Sequence, residues 1–312
     1  MFTEDVHPFR GRVAIVTGAG TGLGRSHALL LARLGAAVVV NDLGGSVSGG
    51  DSSPSPAHEV AGEITDAGGI AIAETSSVAT AEGGAAIVDA AVREFDRVDI
   101  VVNNAGILRD KFFEHLDPPT WDAVMDVHLR GSYNVTRPAW RHLRDQGGGH
   151  ILFTTSAAGL FGNPGHANYG AAKAGIFGLM RMLAVEGAPH GIRANAIAPL
   201  ALTRMSSSKD GDRARASDLM GGLFQQLSPD QVSPLVAWLC HDSCPATGEA
   251  FSVGGGRIAR LFLAETVGWV GRDATWCDVR DHWDAICDPT GYSVPGSMKD
   301  EMALYTNALG RH

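Results

Sequence analysis

The sequence of 312 residues is short of cysteine and of aromatic side chains, with four cysteines and 7% Phe, Trp and Tyr. Cysteines so few and irregularly spaced make no disulfide framework, and they fit a reduced compartment. Positive charge is also short: 25 Lys and Arg against 34 Asp and Glu leave a net charge of −9. That balance speaks against general nucleic-acid binding and against an anionic membrane surface. No apolar run approaches the roughly 20 residues of a membrane span, and the start, MFTEDVHPFRG, has no basic-plus-apolar signal region. The end, ALGRH, is not a peroxisomal S-K-L address, so a cytoplasmic protein is expected. Cys240 and Cys244 bracket His241 and Asp242, but no second ligand pair at zinc spacing accompanies them, and no metal is expected. Asn134-Val135-Thr136 matches a glycosylation sequon that is expected to be idle without a secretory signal. The G-x-S-x-G, H-E-x-x-H and Walker patterns are missing, which argues against a hydrolase or a P-loop enzyme.

What is present describes an ordinary globule with a sizeable core: 45% hydrophobic and 19% charged residues. The length allows one large α/β domain or two small ones. Residues 12–17 (RVAIVT) read as a buried strand, followed at once by a glycine turn and a helix-like RSHALLLARLG. The turn carries Gly18, Gly20, Thr21, Gly22, Leu23 and Gly24. Strand, glycine turn and helix are the setting in which backbone approaches a pyrophosphate and the helix N-terminus supplies N–H donors. A tight βα turn with no ligand is the bland alternative. The second strand, AAVVVND, ends at Asp42, where a carboxylate can bond both adenosine ribose hydroxyls and repel a 2′-phosphate. This favours NAD over NADP, against the competing guanidinium of Arg25 just past the glycines.

Residues 43–56 form a Gly/Ser/Pro-rich loop, and a helix over 58–67, a third strand over 69–74 and a helix over 81–95 follow. Ser76 lies just beyond the third strand, where an adenine edge is met. A fourth strand, residues 98–102, leads into Asn103-Asn104-Ala105-Gly106, whose small residues let the turn lie against a cofactor. His128 sits within a long helical region, residues 118–144, as either a core histidine or a proton relay. A sixth strand over 191–198 ends at Pro199, and residues 201–222 read as either a substrate flap or a solvated excursion. A helix over 232–240 and a seventh strand over 248–253 complete the alternation, and the tail from residue 254 reads as a helical appendage.

The centre of the chain is residues 150–180, HILFTTSAAGLFGNPGHANYGAAKAGIFGLM. A strand, a Gly/Pro/Asn loop and an Ala-rich helix present Ser156, Tyr169 and Lys173. Spacing of i, i+4 puts the tyrosine and lysine on one helix face. Acidifying a phenol by about 2.5 units takes about 3.4 kcal/mol. A cation about 4 Å away supplies roughly 4 kcal/mol at an effective dielectric near 20, so one lysine is of the right size. A serine beside it steadies the substrate oxygen while the phenol exchanges its proton. On its own, Y-x-x-x-K is more often a surface tyrosine covered by a lysine stem. The glycine turn, N-N-A-G and preceding serine give it meaning here.

Together these motifs resemble the short-chain dehydrogenase/reductase family over residues 11–256. More narrowly, VVVNDLGG, VVNNAGILRD, VHLRGSYNVTRPAW, NPGHANYGAAKAG and the tail's HWDAICD resemble the (3R)-hydroxyacyl-CoA dehydrogenase group found in peroxisomal multifunctional enzymes of type 2. The resemblance implies a Rossmann-type α/β fold, doubly wound, with a parallel seven-stranded sheet, helices on both faces and a C-terminal helical extension over residues 257–312. It implies Ser156, Tyr169 and Lys173 as the catalytic trio. His128 would stand where the family has the asparagine of a helix kink, its backbone carbonyl holding a relay water. It further implies NAD held by Gly18, Gly20, Thr21, Gly22, Leu23, Gly24, Asp42, Ser76, Asn104, Ala105, Gly106, Tyr169, Lys173, Pro199 and Thr203. The implied substrate is an acyl-CoA, with a steroid-type alcohol and a non-catalytic NAD-binding sensor as the rival readings, and the implied assembly is a homodimer or homotetramer. Arg204, Lys209, Arg213, Arg215 and Arg257 are candidate cations for anionic CoA.

Overall fold

Short runs dominated by Val, Ile and Ala become the central strands, buried on both faces as parallel sheets require. The computed structural model describes residues 7–45, 55–201 and 227–309. In chain order the strands are β1 (Val13–Thr17), β2 (Ala37–Asn41), β3 (Ile70–Glu74), β4 (Ile100–Asn103), β5 (Gly149–Thr154), β6 (Ile192–Pro199), β7 (Ala250–Gly254) and β8 (Arg257–Leu261). The helices between them are α1 (Gly22–Arg33), α2 (Ser55–Asp66), α3 (Ala81–Phe95), α4 (Pro118–Met125), α5 (Gly131–Asp145), α6 (Ala157–Phe161), α7 (Ala167–Gly187) and α8 (Ser233–Leu239).

The sheet order is β3-β2-β1-β4-β5-β6-β7-β8, and β1 through β7 pair in parallel. β1 lies between β2 and β4, so the chain reverses direction across the sheet there. At such a switch point the connections diverge and leave a crevice at the carboxyl ends of the strands. The core follows the strand period of two. Ala14, Val16, Val38, Val40, Ile100 and Val102 cluster with Leu31 of α1, Val60 and Ile64 of α2, and Leu235 and Val236 of α8. The alternate residues Ile15, Val39 and Val101 are also fully buried and belong to the opposite face, where α3, α5 and α7 pack.

One strand more is present than the sequence pattern predicts. Gly255 and Gly256, at φ 57° and 78°, make a two-residue turn that returns β7 into β8. Two successive residues at positive φ are the type I′ signature, which matches the twist of an antiparallel pair. Read only as the start of the tail, the Gly-Gly pair hides the eighth strand.

The chain divides into two units, Met1–Arg260 and Leu261–His312. The second contains α9 (Trp276–Asp281), α10 (Trp283–Cys287) and α11 (Met298–Leu309), none with a fully buried residue. Thr275 and Asp278 form a reciprocal capping box at the start of α9, and Trp269 stacks on His282 with centroids 4.2 Å apart. Among the described residues no helix is long and apolar enough to cross a membrane. Asn134 of the sequon is 5% exposed and donates its amide to the carbonyl of Val78 at 2.8 Å.

A polar chain, buried except at Asp230, joins α1 to the α8 region. The Ser26 hydroxyl contacts Asp230 at 2.6 Å and Ser233 at 2.7 Å, and Ser233 contacts Nδ1 of His27 at 2.8 Å. His27 is wholly buried, and burial pushes its pKa down from 6.5 to about 3. The unfolded chain therefore takes up a proton near pH 6.5 that the fold refuses until about pH 3. Stability falls with pH across that window, by roughly 2 kcal/mol already at pH 5. His27→Asn is expected to flatten this acid limb in urea melts run from pH 7 to pH 4. An unchanged slope would refute the assignment.

Candidate active site

At the crevice, the end of β1 is tied to the end of β4. Thr17 Oγ1 accepts the backbone N–H of Asn104 at 3.0 Å and of Ala105 at 3.1 Å. The Asn104 amide returns bonds to the carbonyls of Thr17 at 3.0 Å and Gly18 at 3.2 Å. The glycines are needed for this fit: a Cβ on Gly18 would stand 2.8 Å from Ala105 Cα, and one on Gly24 would stand 2.2 Å from the Gly18 carbonyl. Thr21 at the N-cap of α1 makes no side-chain capping bond, and no acidic residue occupies the first turn. With no carboxylate in its first turn, the helix end offers its N–H groups and positive dipole end to an anion. The cradle fits the pyrophosphate of a dinucleotide.

Asp42 braces the turn. Its carboxylate accepts the N–H of Gly20 at 2.8 Å and of Gly44 at 2.7 Å. Arg25, the cation nearest in sequence, is instead paired with Glu63 at 2.5 Å. Ser76 donates its N–H to Glu74 at 3.0 Å and accepts the Asn41 amide on its carbonyl at 3.0 Å. Glu74 also receives the Asn41 side chain at 2.7 Å. This second carboxylate beside Asp42 was not singled out from sequence. Its signal was positional, since the register sets Asn41 of β2 against Glu74 of β3.

On the reaction side, Lys173 is 3% exposed, and its ammonium donates to the Thr154 carbonyl at 2.6 Å. Its own carbonyl accepts Thr155 Oγ1 at 2.7 Å, so the end of β5 and helix α7 are stitched in both directions. The Nζ lies 5.5 Å from the centroid of the Tyr169 ring. Burial draws the Lys173 pKa down from 10.5 to about 7. Ser156 is the N-cap of α6, its hydroxyl accepting the Ala158 N–H at 3.2 Å. This short helix replaces part of the loop expected after β5.

His128 lies in a π-helical turn, Asp126–Arg130, joining α4 to α5. Such single-turn bulges are frequent at functional sites. Its Nε2 faces the backbone of Ile107, 2.8 Å from the carbonyl and 3.1 Å from the amide. Its Nδ1 is buried without a partner, and the ring meets Tyr169 edge-on with centroids 5.3 Å apart. Gly106 makes room for it, since a Cβ there would stand 2.3 Å from the imidazole. Burial, reinforced by the Lys173 charge, holds the His128 pKa well below the usual histidine range. The His128 carbonyl accepts Ser132 Oγ at 2.7 Å and the Gly131 N–H. Pro199 closes β6 opposite Val253. Thr203, Arg204, Lys209, Arg213 and Arg215 lie outside the described residues, as does most of the segment expected to form a flap.

The sequence pattern of the short chain dehydrogenases matches residues 12–214. The chain belongs to that family. It is an oxidoreductase acting on CH–OH groups and taking a nicotinamide cofactor. Peroxisomal multifunctional enzyme type 2 from mouse is 46% identical over 94% of this chain and 39% of that protein. A short-chain type dehydrogenase/reductase from Mycobacterium tuberculosis is 46% identical over 91% of this chain and 97% of its own length. A hydroxyacyl-CoA dehydrogenase from the same organism is 37% identical over 95% of this chain and 96% of that one. Among solved structures, full-length peroxisomal multifunctional enzyme type 2 from Drosophila melanogaster superposes with a TM-score of 0.80 at 34% identity, over 97% of this chain and 50% of that one. A 7α-hydroxysteroid dehydrogenase complexed with NADH and 7-oxo glycochenodeoxycholic acid gives 0.73 at 29% identity, over 82% of this chain and 98% of that one. The chain thus spans about two-fifths of the mouse relative and half of the fly structure.

Lys173 carries a measurable cost. With a folded pKa of about 7 against 10.5 for the free side chain, the fold bears most of the charge-burial penalty at neutral pH, roughly 4 kcal/mol. The penalty fades as pH rises towards the unfolded value. Lys173→Met is expected to raise Tm at pH 7, with the gain shrinking by pH 10, while turnover is lost. A lower Tm at pH 7 would contradict this account.

Proposed function

We propose that the protein oxidises a (3R)-hydroxyacyl-CoA to the 3-ketoacyl-CoA, with NAD as its cofactor and Tyr169 as the general base. The observation that carries the reading is the buried Lys173 ammonium set beneath the Tyr169 ring. A cation at that place favours the phenolate, and so lets the phenol take the substrate's hydroxyl proton near neutral pH. Ser156, at the end of β5, orients the reacting oxygen. His128, kept neutral, stands behind Tyr169 and Lys173 as a relay acceptor through its unpartnered Nδ1. NAD, when bound, accepts the hydride from the carbinol carbon.

The turn of Gly18, Gly20, Thr21, Gly22, Leu23 and Gly24 would hold the pyrophosphate. Asn104, Ala105 and Gly106 would line the nicotinamide half, with Tyr169, Lys173, Pro199 and Thr203 beyond them. Asp42 would meet the ribose, and Ser76 the adenine. The preference for NAD over NADP is supported by two carboxylates, Asp42 and Glu74, at adjacent strand ends, and by the engagement of Arg25 with Glu63. An added 2′-phosphate there would face repulsion from both carboxylates.

The acyl-CoA substrate is supported by the relatives named above, three of which are multifunctional enzymes of this type or a hydroxyacyl-CoA dehydrogenase. For the anionic CoA we assign Arg257, exposed on β8, with Arg204, Lys209, Arg213 and Arg215 as further cations. The 7α-hydroxysteroid dehydrogenase neighbour keeps a free sterol as the second reading. By family likeness we propose a homodimer or homotetramer, with residues 257–312 as a C-terminal extension.

Absorbance at 340 nm separates these readings. Turnover is expected with 3-hydroxyacyl-CoA thioesters and not with free hydroxysteroids. Tyr169→Phe is expected to lower kcat by about 10²–10⁴-fold while NAD still binds, and retained turnover would remove Tyr169 from the mechanism. For the cofactor, kcat/KM is expected to favour NAD, and Asp42→Ala to narrow the difference. A wild-type preference for NADP would overturn that assignment.

A further inference from the structure

We propose that His166, paired with Asp110, is a positioning residue that fixes the ring of Tyr169. The inference rests on the proposed role of Tyr169 as general base and adds to it a second imidazole. His166 occupies the N-cap of α7 at φ −120° and ψ 31°, and its side chain makes no capping bond. That position favours Ser, Thr, Asp or Asn, whose side chains satisfy the first helical N–H groups. Here the side chain is spent elsewhere. Its Nδ1–H donates to the Pro164 carbonyl at 2.8 Å, and its Nε2 lies 3.5 Å from the Asp110 carboxylate. The ring then meets Tyr169 edge-on, centroids 6.1 Å apart and planes at 73°. With His128 at 5.3 Å and 88°, the phenol ring is contacted by two imidazoles.

A purely structural role does not account for this placement. The segment around Asp110 is already joined to the start of α7 by other bonds. Lys111 donates its N–H to the Gly165 carbonyl at 3.1 Å, and the Asn168 amide donates to the Arg109 carbonyl at 3.0 Å. What His166 adds is contact with the reacting side chain. Pro164 accepts the Nδ1 proton, and the Asp110 carboxylate faces Nε2, where it can take the second proton of the imidazolium form, so the ring has one orientation to offer Tyr169. Small errors in the placement of a base cost rate rather than affinity.

The test is a kinetic cycle on the full chain, with thermal melts alongside. His166→Ala is expected to lower kcat by about tenfold, leaving KM for NAD and Tm unchanged. His166→Gln keeps an N–H for Pro164 and is expected to recover most of the loss. Asp110→Asn is expected to lower kcat, and the double variant to be no worse than His166→Ala alone, because the pair acts as one unit. Additive losses, a fall in Tm that tracks kcat, or an unchanged kcat in His166→Ala would each overturn the proposal. Failure of the underlying reading looks different: Tyr169→Phe would then keep its turnover.

Discussion

A buried ammonium bonded to a strand-end carbonyl is the constraint around which the rest is built. Lys173 enters the sheet's carboxyl edge, donates a hydrogen bond to the Thr154 carbonyl, and is drawn to a pKa of about 7 by the loss of water. A group so placed is costly, and its neighbours are arranged accordingly. Thr155 fastens the lysine's own backbone, and His128 beside it is held neutral. The π-helical turn that presents His128 also carries the carbonyl taken by Ser132. None of these groups lies in a flexible connection. They sit at or just past the end of β5, on α7, and where α4 joins α5, elements whose inner faces are core.

The second half of the site follows from the sheet's switch point. β1 must pair with β2 on one side and β4 on the other, so the turns that follow β1 and β4 converge. Thr17 and Asn104 lock them together with four bonds. The contact distances leave no room for side chains at Gly18 or Gly24. The candidate cradle for an anion and the turn after β4 are thus locked to each other, and rigidity of this kind favours accurate placement of reactants.

The parts of this candidate site are legible in the sequence because they are local. A glycine turn between a strand and a helix, and a tyrosine and lysine one helical turn apart, are readable from spacing alone. Long-range partnerships were not readable in the same way. Arg25 looked like a candidate for a 2′-phosphate until Glu63, 38 positions away, was found holding it. Glu74 matters only because the register sets it opposite Asn41. The short helix α6 spans too few residues for a periodic pattern, and β8 was masked by reading Gly255 and Gly256 as the start of a tail. His166 was overlooked for another reason. A histidine at an N-cap signals nothing until its ring is seen against Tyr169.

The burial of Asn134 has a practical side. Its amide is committed to Val78 and its surface is closed to solvent, so no glycosyltransferase can reach it in the finished fold. A nascent chain passing through a secretory pathway is another matter, since Asn134-Val135-Thr136 is presented before α5 has packed. A sugar attached at that moment would sit where α5 closes against the segment after β3, and the chain could not complete its core. Recombinant production of this protein therefore belongs in a host compartment that lacks oligosaccharyltransferase.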